Sequence, residues 1–556
     1  DRCAVRATGS SQPDTFGGIP LFWSPYLQHP TGSAPRQSGF LSPTLGITGY
    51  LGGFVETPYY WAIDESQDLL LRPLIATNNL PNLGLEYRRR FNFGEVAAEG
   101  SLGYLNGREN TPEGAAGHIF SRGRFNLDEN WRAGFNYNWA TSEDYLRIYR
   151  YGARRLLNQD AYAEGFWGTD AYARIDGRAY QGLRSTDNNS QIPYVLPNIY
   201  ADWRSQPDPL GGTFTLDTWN FAVFRDQGTS TQRGATRIGY DLPMYDGSGG
   251  VWTVRAQSDL AAYAYTDLAG APNYSTSADN GTIGTANIRA ALDWRMPFVR
   301  SAGEYGHQVI EPRVQFVGGP LTGSQSSVPN EDSIDLEFTD ANLFNLNRFA
   351  GRDRQEGGTR VDYAMRGAWY FPNGGMLEGL AGASYRVQND GGPFYTNSGL
   401  ENRASDYVGR ARLMPVTWLE FLGRGRFAQD NGAVQFLDLS STVSLGSGTS
   451  LTGGYLFTPA MPYLTPYQER NEVAVGFNQR IGHWRFGAFA RYDIELNRPV
   501  VVTASAAYED ECFLFEARFL KRFAEDPSTN NLYPASTVLL FRVGLKTVGD
   551  VGFRAI

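Results

Sequence analysis

From Gly39 onward the chain alternates apolar and polar side chains in runs of about ten residues, and clusters of turn-forming residues separate the runs. Successive side chains of a strand point to opposite faces. The run at Trp131 therefore puts Trp131, Ala133, Phe135, Tyr137 and Trp139 on one face and Arg132, Gly134, Asn136 and Asn138 on the other. Val473, Val475 and Phe477 separate in the same way from Glu472, Ala474 and Asn478, as do Leu539, Phe541, Val543 and Leu545 from Arg542 and Lys546. One face suits lipid and the other water. The rhythm nowhere changes to a helical period, so no helix is expected.

A strand with its turn takes roughly 20 residues when strands are ~10 residues long. The stretch from Phe40 to Lys546 is then expected to hold about 26 strands. The expected fold is all-β: a transmembrane antiparallel β-barrel over 39–556, with 1–38 as a leading segment. An even strand number brings both chain ends to the periplasmic side and predicts short periplasmic turns alternating with longer outer loops. The connections at Thr141 to Leu157, Gly318 to Gly358 and Ala524 to Ala535 each follow an odd-numbered segment, so all three are expected outside. Glu331 to Arg354 lies in the longest of them, and loops of that length are usually functional.

Composition agrees with a two-faced strand protein. Of 556 residues, 19% are charged and 14% aromatic, 64 are Gly, and mean hydropathy is -0.39. A barrel strand needs an apolar residue only at every second position, so low mean hydropathy is compatible with a lipid-facing surface. A soluble sandwich or propeller also alternates, but the aromatic residues on its solvent faces, the strand length and the strand number fit it poorly. The net charge of -9 argues against a nucleic-acid partner. Lys occurs only at Lys521 and Lys546, so the cations are almost all Arg. High genomic GC content would produce that bias, and Arg is also the side chain best shaped for bidentate contact with phosphate.

The start, Asp1-Arg2-Cys3, has no basic and apolar leader, so a mature or truncated chain is expected. Cys3 and Cys512 exclude a disulfide-rich scaffold or a multi-cysteine metal site, and leave open either one long-range bridge or two separate thiols. His29, His118, His307 and His483 are scattered singly, without metal-ligand spacing or a nucleophile turn. No converging Ser and His pair is evident, so no enzyme, metal or cofactor is expected.

Several strings carry a family resemblance. "GIPLFWSPYLQHP" (Gly18 to Pro30), "SGFLSP" (Ser38 to Pro43) and "TPYYWAI" (Thr57 to Ile63) resemble the way into the barrel of the LptD family of lipopolysaccharide-assembly proteins. "IEPRVQF" (Ile310 to Phe316), the acidic stretch from Asp332 to Arg354, and "YEDECFLFEARF" (Tyr508 to Phe519) follow in the family's order. The resemblance covers essentially the whole chain. It implies that 1–38 is the end of a periplasmic β-jellyroll with its linker, most of the jellyroll being absent. It further implies an outer-membrane translocon of a Gram-negative bacterium. Lipopolysaccharide would arrive over an LptA-type periplasmic bridge driven by an inner-membrane ATPase, and an LptE-type lipoprotein would plug the lumen. The saccharide would pass through the lumen, and the acyl chains would leave to outer-membrane lipid through a lateral gate between the first and last strands.

Pro43 and Pro58 are expected inside the first two strands, where a missing N–H weakens pairing beside the last strand, with Leu539 and Phe541 across the joint. Strand-end or bulge prolines are the plainer alternative. Cys512 has the parity of the lumen face, with Leu514, Glu516 and Arg518, at the periplasmic rim. The family's inter-domain disulfides suggest a Cys3 to Cys512 bridge, although its fuller pattern uses four cysteines. Asp332, Phe338, Phe344, Arg348 and Arg352 belong to a stretch that interleaves acids, apolar groups and arginines, expected as an amphiphilic lid over the lumen or as a solvated loop. The runner-up function is a large diffusion channel or nutrient transporter, and the non-transport alternative is a surface hydrolase or adhesin.

Overall fold

The structure, a computed structural model, describes residues 38–545 except 42, 153, 185, 269–278, 321–324, 334–336, 389–393, 461–468, 511–512, 527–530 and 534–535, together with 14–16 and 19–22. It is a closed antiparallel barrel of 26 strands. The first strand is Gly39–Phe40 continued by Thr44–Thr48, the second is Gly52–Glu56 continued by Tyr59–Ala62, and the last is Thr537–Leu545. Closure comes from Thr537–Leu545 pairing with Thr44–Thr48. Ahead of the barrel, Asp14–Phe16 pairs with Ile19–Phe22 as a small hairpin.

The period-two pattern sorts side chains as expected. Tyr137 and Trp139 are exposed on the outer face while Asn138, between them, is buried. Leu45 and Ile47 are likewise exposed, and Gly46 and Thr48 face inward. The inner face is lined by arginines bonded to carboxylates two residues or one strand away, among them Arg132 with Glu164 at 2.6 Å, Arg178 with Asp176 at 2.6 Å and Arg237 with Asp259 at 2.6 Å. Such pairs let charged groups line the interior of a membrane barrel without an unpaired charge facing lipid.

Turns at one rim are short, such as those between Phe91 and Gly94 and between Ile481 and Trp484. Both ends of the barrel chain lie at that rim, which is therefore periplasmic. The opposite rim carries the long connections 141–155, 319–359 and 387–406. One expectation fails here. The first of these loops contains an α-helix, Glu143–Ile148, whose start is fixed by Ser142 accepting from the Tyr145 N–H at 3.2 Å. A single six-residue helix inside a loop is too short to register as a period in the surrounding pattern.

Candidate functional site

The joint between the first and last strands departs from its neighbours. Pro43 and Pro58 do not lie within strands as expected: Pro43 stands exposed just before Thr44, and Pro58 is buried in the gap between the two halves of the second strand. Without an N–H and with φ fixed, each proline interrupts its strand. The break splits the first strand's pairing. Thr44–Thr48 pairs with the last strand over five residues, from Thr44↔Arg542 to Thr48↔Val538. Gly39–Phe40 pairs instead with Tyr59 and Tyr60, and Leu41 donates to the Pro58 carbonyl at 2.8 Å. Among the described residues, Val543–Leu545 pair only with the preceding strand, Phe513–Arg522. Among the described residues the joint is therefore unlaced below Arg542. In the laced half, Leu539 and Phe541 sit opposite Ile47 and Leu45 on the lipid side. A Cβ at Gly46 would collide with the Phe54 ring, so glycine lets the two strands and that ring pack closely.

Behind this joint lies a cavity of about 650 Å³, roofed by the loop 141–155. Tyr145, Leu146, Ile148 and Tyr149 of that loop pack against Tyr50, Leu51, Phe54 and Leu74 on the inner face of the first strands. Arg150 ties it down through Glu56 at 2.7 Å. The cavity also touches Thr44, Arg522, Leu540 and Arg542, so it follows the inner side of the joint. Sequence reading placed this loop outside and missed its inward packing. The available signal was Ser142 followed by Glu143 and Asp144, then the spaced apolar residues Tyr145, Leu146 and Tyr149.

The longest loop fills the opposite side of the lumen and descends into it instead of spanning its mouth. Asp332 accepts from Arg233 at 2.5 Å and from the Arg352 and Asp353 N–H groups at 3.0 and 3.1 Å. Phe338 is fully buried with Leu343, Phe349, Leu400 and Val408. Phe344 lies 3.9 Å from the Arg313 guanidinium, and its carbonyl accepts from Arg255. Arg348 is bonded to Glu356, and Arg352 to Asp217. A lid exposed to solvent on one face would leave these acids in water, whereas the wall's arginines draw them inward. Sequence reading missed those partners: Arg233, Arg289 and Arg426 lie dozens of residues away on different strands, and Arg360 opens the strand that follows the loop.

The loop's carboxylates differ sharply. Burial pushes Asp353 up to about 6 against the pull of Arg233, with the neighbouring Asp332 adding to the rise. Burial also raises Glu356, but Arg348 and Arg360 outweigh it and bring it down to about 2. One guanidinium serving two carboxylates thus leaves Asp353 the easier to protonate.

The structure does bring one Ser and His together, contrary to expectation. Ser101 and His118 are register partners on adjacent strands with Oγ and Nδ1 2.6 Å apart, and Ser101 also meets the Tyr145 hydroxyl at 2.7 Å. His118 is 3% exposed, its ring is 4.0 Å from that of Tyr151, and its Nε2 has no hydrogen-bond partner. A nucleophile activated this way needs an orienting group on the far nitrogen and access for a substrate. The pair therefore reads as polar packing under the loop. Among the described residues no group of three His, Cys, Asp or Glu side chains is placed to hold a metal. Cys3 and Cys512 lie outside the described residues.

Residues 115–483 match the family model LptD, described as LPS transport system D. The LPS-assembly protein LptD of Hahella chejuensis is 24% identical over 573 residues, covering 96% of this chain and 68% of that protein. Those of Thiobacillus denitrificans and Neisseria meningitidis are 24% and 23% identical, covering 97% of this chain each and 71% and 67% of their own lengths. The alignment to the Pseudomonas syringae protein covers 64% of this chain and 42% of that one. With an apolar outer face, a charged lumen and the family's model matching most of its length, this outer-membrane barrel of a Gram-negative bacterium belongs to the LptD family.

Proposed function

We propose that the barrel delivers lipopolysaccharide to the outer leaflet, passing the saccharide through the lumen and the acyl chains sideways between the first and last strands. The observation that carries this reading is the five-residue joint, unlaced below Arg542 among the described residues. Each net hydrogen bond is worth about 0.5–1.5 kcal/mol, so a short ladder opens before a long one. Backbone groups left unpaired in hydrocarbon cost several kcal/mol each, so a stretch without ladder bonds is tolerable where the charged lumen brings water or a polar head group to it. The cavity behind the joint gives the cargo a place to wait.

On this reading residues 1–38 are the end of a periplasmic jellyroll that receives cargo from an LptA-type bridge, and an LptE-type lipoprotein occupies what remains of the lumen. The chain spans about two thirds of the length of these curated relatives. A diffusion channel is the competing use. The loop packed into the lumen argues against an open pore.

The test is a reversible staple, Ile47→Cys with Leu539→Cys, at a paired position of the joint. Oxidation should stop lipopolysaccharide reaching the cell surface and reduction should restore it. Normal surface lipopolysaccharide with the staple closed would sink the lateral exit. A channel would instead show altered solute uptake alone.

A further inference from the structure

We propose that the outer end of the cavity behind the joint binds a phosphate monoester borne on an amphiphile's head group, through Arg147 and Arg522. This rests on the lateral-exit reading and specifies what is held there. The cavity is lined by several arginines whose charges are matched differently along its height. Lower down, Arg72 pairs with Glu99, Arg150 with Glu56 at 2.7 Å, and Arg518 with Glu516 at 2.8 Å. At the outer end the matching fails. Arg147 and Arg184 share one carboxylate, Glu143, at 2.5 and 2.9 Å, and both guanidinium groups approach the Tyr533 ring, at 4.1 and 5.7 Å.

Arg522 lines the same cavity as Arg147, and its side chain has no ion pair or hydrogen bond with any described residue. Among the described residues, Arg147 and Arg184 thus share Glu143, Asp187 attracts Arg184 while also paired with Arg155, and the Arg522 side chain has no carboxylate partner, so positive charge is in excess in a half-buried setting. The Glu143 carboxylate is 4% exposed and the Arg147 side chain 11%. Confined like charges are unfavourable without a counter-ion. A phosphate monoester carries a charge of about -1.5 to -2, which would offset that excess, and its oxygens suit the guanidinium fork.

Position supports a head group over any other part of a lipid. Arg522 ends its strand at the outer rim, where its N–H meets the Ser536 carbonyl at 2.8 Å. Directly below, the cavity wall includes Leu520, Val538 and Leu540. Unmatched positive charge at head-group level above aliphatic wall is the polarity of a phosphorylated glycolipid standing in the outer leaflet.

Binding to the full chain in detergent tests the site, with bisphosphorylated lipid A, its dephosphorylated counterpart and inorganic phosphate as probes. The phosphorylated glycolipid should bind about tenfold or more tightly than the dephosphorylated one, as expected for lost charge-assisted hydrogen bonds. Arg522→Gln should remove most of that preference without changing the melting temperature, since the Arg522 side chain bonds no described residue. Arg522→Lys should keep part of it. Equal binding of the two glycolipids, or a preference that survives Arg522→Gln, overturns the site. Inorganic phosphate binding as tightly as the glycolipid, with the same dependence on Arg522, would assign the phosphate chemistry to the free ion. Weak binding of the ion would assign it to the head group. Failure here while the staple still blocks export refutes this site alone, and the reverse outcome refutes the exit alone.

Discussion

The wall formed by Ser230–Tyr245, Val251–Thr266 and Gly281–Arg295 stands about half way round the barrel from the closing joint, and the two are bonded in opposite ways. Ser230–Tyr245 pairs with its neighbour at every one of its 16 residues, and the long loop 319–359, the chain's own plug on this side of the lumen, clamps the inner face of this wall through Arg233 and Arg289. The joint has five pairs, a broken first strand and a cavity behind it. Hydrogen bonding and buried ion pairs stiffen one side, and little but a short ladder and a small loop hold the other. The difference teaches that a closed barrel need not be held equally all round, because ladder length and inner packing vary around its circumference.

The largest expected effect is on the stiff side. Arg348→Ala leaves Glu356 buried with less compensation, a loss on the order of 3–5 kcal/mol for a broken buried pair. The plug should become protease-sensitive and the barrel should conduct ions, while exchange at Thr44–Thr48 stays unchanged. Continued protection of 325–359 would show that these pairs do not hold the plug. A smaller effect is expected at the joint. Pro43→Ala with Pro58→Ala restores two donors, each new ladder bond adding about 0.5–1.5 kcal/mol. Hydrogen exchange should slow along both edge strands and export should fall. Normal surface lipopolysaccharide in the double variant would count against the joint's role.

The smallest effect is a pH dependence confined to the plug. Asp353, raised to about 6, binds its proton more tightly in the folded plug than in the unfolded chain, so its penalty grows as pH rises from near 4 through about 6. Glu356, lowered to about 2, contributes stability fully above its ordinary value of 4.5 and loses it as pH falls toward 2. The plug should therefore be tightest near about pH 4 and looser at both about pH 7 and about pH 2. Hydrogen exchange of 325–359, corrected for intrinsic rate, reads this out, with the joint as the control. A flat profile between those values, or the same profile at the joint, would remove the distinction.

Strand number, face assignment and loop direction were legible because they follow from local alternation. Trp131 to Trp139 sort onto opposite faces whatever the strand pairs with. The helix at Glu143–Ile148 was not legible as a period, and its inward packing depends on Tyr50 and Leu105, far off in sequence. Pro43 and Pro58 were visible as weak points, but whether they sit in strands or between strand halves depended on the partner strand. The acidic stretch from Asp332 stood out as unusual, yet its place inside the lumen rests on Arg233, 99 residues away from Asp332 and 120 from Asp353.

The sequence by itself determined that this is a many-stranded barrel with lipid and water faces, since a two-residue period and turn chemistry act within a few residues. Tertiary structure alone decided how far the closing ladder extends, which arginines are neutralised and which are left with charge to spare. Those outcomes depend on the register at which the barrel closes and on loops folding back into it, and no local stretch of chain encodes either.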